Sequence, residues 1–578
     1  MINLDCLPQE VPQRICKMLN PTTSDDDLGG NSLLVLARTS RAFHEHALNA
    51  IWETIPNYSV LVYTLPRDAW SEEARPPELE GKGASTQVSI TRPLVTADLV
   101  RLKHYAPRVK RISPAYTYHW RSWRPPEPLG SVNEALATLF DTMPGAVMLP
   151  NLVELELRQF AHTEEETYKL IRYLPVLFGP KLIDLRYDCS PGNMSSGDAP
   201  KYALRRLAKI SPNLASFDVR LNYLPLKVIS GTLVRLRNLE SVETNYRPMS
   251  VRALLHLACL PTLYYLCTTL RKVDQDRISA TFGSPNGSGY FSQITTLRLN
   301  CPGGPGAAIA VIKACRSPFL EAVDIDVTGR YSHARSSDVQ AVLAAIATCT
   351  GRASVREITV IEGPRAADDA ITKATIAPIF DLHELSVVKI CTEGPFEIDD
   401  DTCRAIAQSW PALEILDLQD IRADSSPAAT FTGIVYLAQG CPKLEELCLV
   451  FNTDPARLPR LCKSARPGLG FEQLSLTCLD VGRTKVRPEH ALGVASILSD
   501  IFPLQFDFYH GFFDEGSAHS VISQAGMQPE EILQDATESR QWATVIDAYR
   551  KFVAIRSQER KWGHRVGKKP LPPVRLPL

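Results

Sequence analysis

The chain has 578 residues, with 63 Lys and Arg against 64 Asp and Glu, and 44% of it is hydrophobic. That length excludes a single ordinary globule and calls for several domains or one long repeat array, while the composition excludes a chain too polar to fold. A net charge of −1 provides no global basic field toward nucleic acid or anionic lipid.

Residues 7–55 read as helical: LPQEVPQRICKML, a polar break PTTSDDDLGGN, then SLLVLARTSRAFHEHALNAIWETI. The beginning of the chain lacks the basic-then-apolar layout of a signal peptide, and nowhere is there a run of about 20 apolar residues for a membrane span. Residues 66–93, rich in Pro, Gly and charge, read as an exposed linker. Val109 and Ile112 after Pro107 form a faint strand. Residues 114–130 interleave Tyr116, Tyr118, Trp120 and Trp123 with Arg121 and Arg124; the pattern suits either an aromatic wedge against the following repeats or a stacking platform for bases.

From Leu152 one phrase recurs: an apolar residue, two variable, an apolar residue, one variable, an apolar residue. Its instances are Leu152-Leu155-Leu157, Leu182-Leu185-Tyr187, Leu214-Phe217-Val219, Leu239-Val242-Thr244, Leu263-Leu266-Thr268, Ile294-Leu297-Leu299, Leu320-Val323-Ile325, Val355-Ile358-Val360, Leu385-Val388-Ile390, Leu413-Leu416-Leu418, Leu444-Leu447-Leu449 and Phe471-Leu474-Leu476. A Pro stands two positions before many of them, as at Pro150, Pro180, Pro212, Pro411 and Pro442. The spacing of 24 to 35 residues resembles the long, irregular form of the leucine-rich repeat. Each phrase predicts a short strand with apolar side chains inward. Segments such as Val339–Thr348 and Ala429–Gln439 predict the returning helices, with Gly440-Cys441-Pro442 as a helix stop. Such units bury their apolar faces only by stacking, which predicts a curved solenoid with parallel strands inside and helices outside. Phe502-Pro503-Leu504 with Phe506 and Phe508 closes the array, and the helical segment 529–562 suits a C-terminal cap.

Strand alternation aims one column of each phrase at the concave wall: Glu156, Arg186, Asp218, Glu243, Cys267, Arg298, Asp324, Thr359, Lys389, Asp417, Cys448 and Ser475. With Glu154, Asp184, Glu357 and Glu446 in the preceding column, the wall leans acidic. It suits a Lys/Arg-rich segment of a protein partner, or these residues are simply solvated strand faces.

No catalytic constellation is present. The 12 histidines are dispersed and the 14 cysteines include no Cys-x-x-Cys, so neither a metal site nor a cofactor is expected, and reduced thiols fit a cytoplasmic or nuclear setting. Cys189, Cys301, Cys391 and Cys478 suit small buried fillers between layers. Cys301-Pro302-Gly303-Gly304-Pro305-Gly306 superficially resembles a phosphate loop, but it lacks the Gly-Lys-Ser/Thr ending, and its prolines remove amide donors; an inter-repeat turn fits better. Asp399-Asp400-Asp401 suits a helix start. From Arg556 onward seven Lys/Arg face one acid, a solvated tail or a nuclear-entry signal.

Leu7-Pro8, then Glu10, Val11, Ile15 and Leu19, then Leu33, Leu36, Ser40, Arg41, Phe43 and Ile51-Trp52 together resemble the F-box, a three-helix module. Its combination with downstream repeats is similar to F-box/leucine-rich-repeat proteins, the fungal ones especially. Two departures stand out: the break at Asn20–Ser32 is long, and Thr39-Ser40 replaces a frequent Val-Cys. The resemblance implies a non-enzymatic substrate receptor of a cullin-based ubiquitin ligase. Leu7, Pro8, Ile15, Leu19, Leu36, Phe43 and Trp52 would then be shared between a surface for a Skp-family adaptor, which leads to cullin, and the module's own core. The repeats would hold an unidentified protein substrate, with Glu154, Glu156, Asp184, Arg186, Asp218, Glu243, Arg298, Asp324, Lys389 and Asp417 as candidate contacts. Neither nucleic acid nor membrane is an expected partner. The expected organisation is an F-box over 1–60, a linker and lead-in over 61–105, repeats over 106–510, a helical cap over 511–562 and a basic, Pro-rich tail over 563–578. The alternatives are a repeat scaffold without ligase association and an N-terminal helical cap in place of the F-box.

Overall fold

The computed structural model describes residues 8–20, 29–74, 86–113, 127–128, 147–159, 174–189, 199–221, 226–283, 289–328, 335–364, 369–420, 427–454, 471–512 and 529–565. Leu7, most of the aromatic segment 114–130 and the tail beyond 565 lie outside these residues. The chain divides into two compact units, Met1–Thr269 and Leu270–Leu578.

The first unit opens with three helices, α1 (Glu10–Met18), α2 (Gly29–Thr39) and α3 (Arg41–Glu53). Residues Gly29 to Ser32, read from sequence as part of the polar break, belong to α2. Helix α3 runs without an intervening residue into the strand Thr54–Ile55, which begins a parallel ladder. The ladder continues through Arg111–Ile112, Glu154–Gln159, Asp184–Cys189, Ser216–Leu221, Ser241–Pro248 and Tyr265–Thr269.

The second unit repeats the plan with Thr296–Asn300, Ala322–Asp326, Glu357–Pro364, Val387–Glu393, Ile415–Asp420, Glu446–Leu449, Cys478–Asp480 and Asp507–Tyr509, again all parallel. Parallel neighbours need crossover connections. Helices such as Ala199–Ile210, Val251–Ala258, Gly306–Ala314, Ser336–Thr348 and Phe431–Gly440 provide them.

The middle apolar residue of each phrase forms one buried register row: Ile112, Leu155, Leu185, Phe217, Val242 and Leu266 in the first unit, and Leu297, Val323, Ile358, Val388, Leu416 and Leu447 in the second. The prolines have a local cause. In Leu149-Pro150-Asn151-Leu152 the amide of Leu152 donates to Leu149 O at 3.2 Å, and the same closure joins Leu182 to Gly179, Leu214 to Ser211, Leu413 to Trp410 and Leu444 to Cys441. Pro sits at the second residue of each turn, where its fixed φ is already correct.

Two expectations are corrected. The twelfth phrase is not Phe471-Leu474-Leu476: Leu474 is exposed, and the strand is Cys478–Asp480 with Leu479 beside Leu447. The buried phrase is Leu476-Leu479-Val481, five residues later, so Asp480 rather than Ser475 continues the outward column. Residues 66–93 are not only an exposed loop, because Trp70–Ala74 pairs antiparallel with Thr86–Ile90. Burial of Trp70 and Val88 holds that pair, and Arg92 bridges Asp68 and Asp98 beside it.

Gly440 does more than end a helix. A Cβ there would lie 2.6 Å from Ala407 Cβ, so its smallness lets Phe431–Gly440 pack against Asp400–Ser409. The three consecutive aspartates stand at a helix start, as their sequence suits: Asp399 caps Asp400–Ser409, accepting from Thr402 N at 2.7 Å, and Asp400 and Asp401 lie in its first turn. Asp400 reaches into the next repeat and accepts from Thr430 N and Gly433 N at 2.7 and 2.9 Å.

The phosphate-loop lookalike is the turn before Gly306–Ala314, with Gly304 at φ 109°. Beyond the last strand, the helix Pro529–Arg565 buries Trp542, Val545, Tyr549 and Val553. Trp542 Nε1 donates to Thr484 O at 2.7 Å, and the Tyr549 hydroxyl lies 2.8 Å from Phe502 O and 2.5 Å from Leu504 O.

Candidate functional site

Two surfaces collect the residues singled out from sequence. The first belongs to the helical unit. Its core is small: Cys16 from α1, Leu33 and Ala37 from α2, and Phe43, Ala47 and Ala50 from α3. Phe43, Ala47 and Ala50 recur at i, i+4 and i+7, which puts them on one face of α3. With that face taken, α1 buries Pro12 and Cys16 and turns its remaining large apolar residues to water. Val11, Ile15 and Met18, also at i, i+4 and i+7, are 39%, 38% and 68% exposed, and on α2 Leu34 and Val35 are 41% and 59% exposed.

The candidate adaptor residues thus divide. Pro8 and Ile15 are exposed, Leu19 and Leu36 are half-buried against the core, and Phe43 is inside it. Trp52 stacks on Tyr105 with ring centroids 4.7 Å apart. Val11, Met18, Leu34 and Val35 were absent from the sequence-derived set. The helical period of Val11, Ile15 and Met18 was a usable signal, but it does not tell a core face from an exposed one.

The second surface is the outward side of the ladders. Glu156, Arg186, Asp218, Glu243 and Cys267 occupy one register row in the first unit, and Arg298, Asp324, Thr359, Lys389, Asp417, Cys448 and Asp480 occupy one row in the second. The register brings the candidate contacts of each unit into line.

The electrostatics of the two rows differ. In the first unit Arg111 lies 3.7 Å from Glu154, Arg186 lies 2.9 Å from Asp184, and Arg220 lies 3.1 Å from Asp218 and 2.8 Å from Glu243. Glu156 is buried and accepts from Ser113 Oγ at 2.7 Å. Burial, followed by the neighbouring Asp184, raises the Glu154 carboxyl above its ordinary value.

In the second unit Arg298 lies 3.8 Å from Asp324, but among the described residues no Lys or Arg comes within ion-pair distance of Asp417, Glu446, Asp480 or Asp507. Burial raises the Asp324 and Asp417 carboxyls, although the Cys448 and Cys391 thiols donate to Asp417 and oppose the shift there. Burial and nearby carboxylates push Cys478 up to about 11 and Cys391 up to about 12. These thiols stay protonated and poorly nucleophilic.

Among the described residues no group of three or more His, Cys, Asp or Glu could hold a metal ion, and no helix is long and apolar enough to cross a membrane. No family model and no curated protein matches the chain. Among solved structures it is similar to a chain in the crystal structure of the Rad7 and Elc1 complex in yeast, with 13% identity and a TM-score of 0.36, over 64% of this chain and 85% of that one. A likeness this loose carries no argument about what the chain does.

Proposed function

We propose that the chain is the substrate-recognition subunit of a Skp-cullin-F-box ubiquitin ligase. The helical unit acts as the F-box that binds a Skp-family adaptor, the ladders act as a leucine-rich-repeat surface for a protein substrate, and the C-terminal helix acts as the cap. The reading rests on one observation: α1 and α2 leave Val11, Ile15, Met18, Leu34 and Val35 in water although α3 offers a core next to them. A helical unit that only covered the end of a repeat array would turn its largest apolar residues inward. Covering an exposed side chain of this size contributes about 1.5–3 kcal/mol when burial is complete, so several together offset part of the cost of association.

The subunit contributes no chemistry of its own; it brings substrate and transfer machinery together. Asp417 and Asp480 in one outward row of the second unit, and Glu446 and Asp507 in the row beside it, have no Lys or Arg at ion-pair distance among the described residues and favour a Lys/Arg-rich substrate segment. The test is copurification of a Skp-family adaptor with the parent chain and with the Met18→Asp/Val35→Asp variant. Both positions are exposed, so the variant should fold, while an unpaired charge enters the proposed contact. Adaptor recovery should fall at least tenfold. Equal recovery from both chains would reject the adaptor surface and leave a repeat scaffold without ligase association.

A further inference from the structure

The junction between α3 and the ladder is a single peptide link, yet contacts far from that link brace it. The backbone contributes Lys110 N donating to Glu53 O at 2.8 Å and Ser113 N donating to Ile55 O at 3.0 Å, both at the junction itself. A hinge at Glu53–Thr54 could swing about these bonds, because they lie close to its pivot. Arg108 lies elsewhere. Its Nη2 donates to Glu45 Oε2 at 2.8 Å, its Nη1 donates to Asn49 Oδ1, and its side chain is 10% exposed. Glu45 and Asn49 are one turn apart on the same face of α3. Glu45 precedes the junction by eight residues, about 12 Å at the helical rise, so the guanidinium fork grips α3 with a long lever. Trp52 adds its stack on Tyr105. On the far side, Asn20 Nδ2 donates to Ala50 O at 3.1 Å and ties α1 to the same helix.

We propose that Arg108 is a positioning residue. Together with the Trp52–Tyr105 stack, it fixes the orientation of the helical unit on the first strands of the ladder, so that a partner on α1 and α2 is presented at a set angle to the first ladder. The consequence for ubiquitin transfer rests on the function proposed above; the clamp itself does not. Glu45 is 61% exposed, so water screens the carboxylate end of the pair. The rigid two-donor geometry of the guanidinium is what sets direction. Arg108→Lys keeps the charge and loses the fork, and should therefore fail as the alanine does.

The test uses the full chain with spin labels attached through bio-orthogonal non-natural residues at positions 13 and 181, both exposed and both in the first unit. The distance distribution is read by double electron–electron resonance. The parent should give one narrow distribution. Arg108→Ala and Arg108→Lys should broaden it by about twofold, and Trp52→Ala/Arg108→Ala should broaden it further, with all variants still folded at the temperature of the measurement. A distribution as narrow as the parent's in the double variant would overturn the proposal. So would a lowered midpoint in the Arg108 single variants with unchanged width, which would make Arg108 a purely structural contact. The measurement needs no adaptor, so its failure is separate from failure of the ligase reading.

Discussion

Replacing Leu479 and Leu474 separately by Ala sets the ladder register against the repeating phrase. Leu479 is 1% exposed and stands beside Leu447 in the buried row, whereas Leu474 is 59% exposed. Truncating a buried Leu removes its transfer free energy and leaves a cavity, at a cost of about 2–5 kcal/mol; at an exposed site the cost stays within about 0.5 kcal/mol. Repeats are stabilised by their neighbours, so the loss in Leu479→Ala should spread to Glu446–Leu449 and Asp507–Tyr509, the strands paired with Cys478–Asp480. Native-state hydrogen exchange suits the measurement, because long arrays need not unfold in two states. A cost of about 3 kcal/mol lowers protection roughly a hundredfold in those strands, and Leu474→Ala should leave them unchanged. Equal losses in the two variants would refute the register.

The raised Asp417 carboxyl has a signed consequence. The folded chain holds that proton more tightly than the unfolded one, so the contribution of Asp417 to stability falls as pH rises through the carboxylate range. Asp417→Asn should match or exceed the parent in urea midpoint at pH 7, and the difference should vanish below about pH 4; a variant less stable at pH 7 would contradict burial as the cause. The thiols provide a second pH test. Cys259 is exposed and should alkylate rapidly at pH 8, whereas Cys478, pushed up to about 11, should lag and accelerate only toward that pH. Residue-resolved mass spectrometry reads both, and equal rates at pH 8 would mean that the row is open to solvent.

Much of the fold was legible because a parallel ladder writes its period into the chain. Eleven phrases sit where spacing put them, and every named middle residue from Leu155 to Leu447 is buried. The twelfth went astray because Phe471, Leu474 and Leu476 satisfy the same pattern as Leu476, Leu479 and Val481, and only pairing with Glu446–Leu449 chooses between them. The outward rows were legible for the same reason, since alternation along a strand fixes which side chains share a face. Their charge balance was not. The arginines that neutralise the first unit's acids include Arg111, from another strand, and Arg220, from outside the counted columns, and their reach is a distance that sequence does not carry.

By itself the sequence determined the repeat, the parallel α/β class, the turn prolines and the helices on either side of the ladders, because each follows from local periodicity and backbone preference. Only the tertiary structure decided which apolar residues of the first helices face water. Helix α1 carries Pro12 and Cys16 on one face and Val11, Ile15 and Met18 toward another, and the packing of α3 selects the buried one. It also decided that Arg108 reaches Glu45 and Asn49, residues 63 and 59 positions away. Contacts at that separation form only once the chain has closed on itself, and no local pattern encodes them.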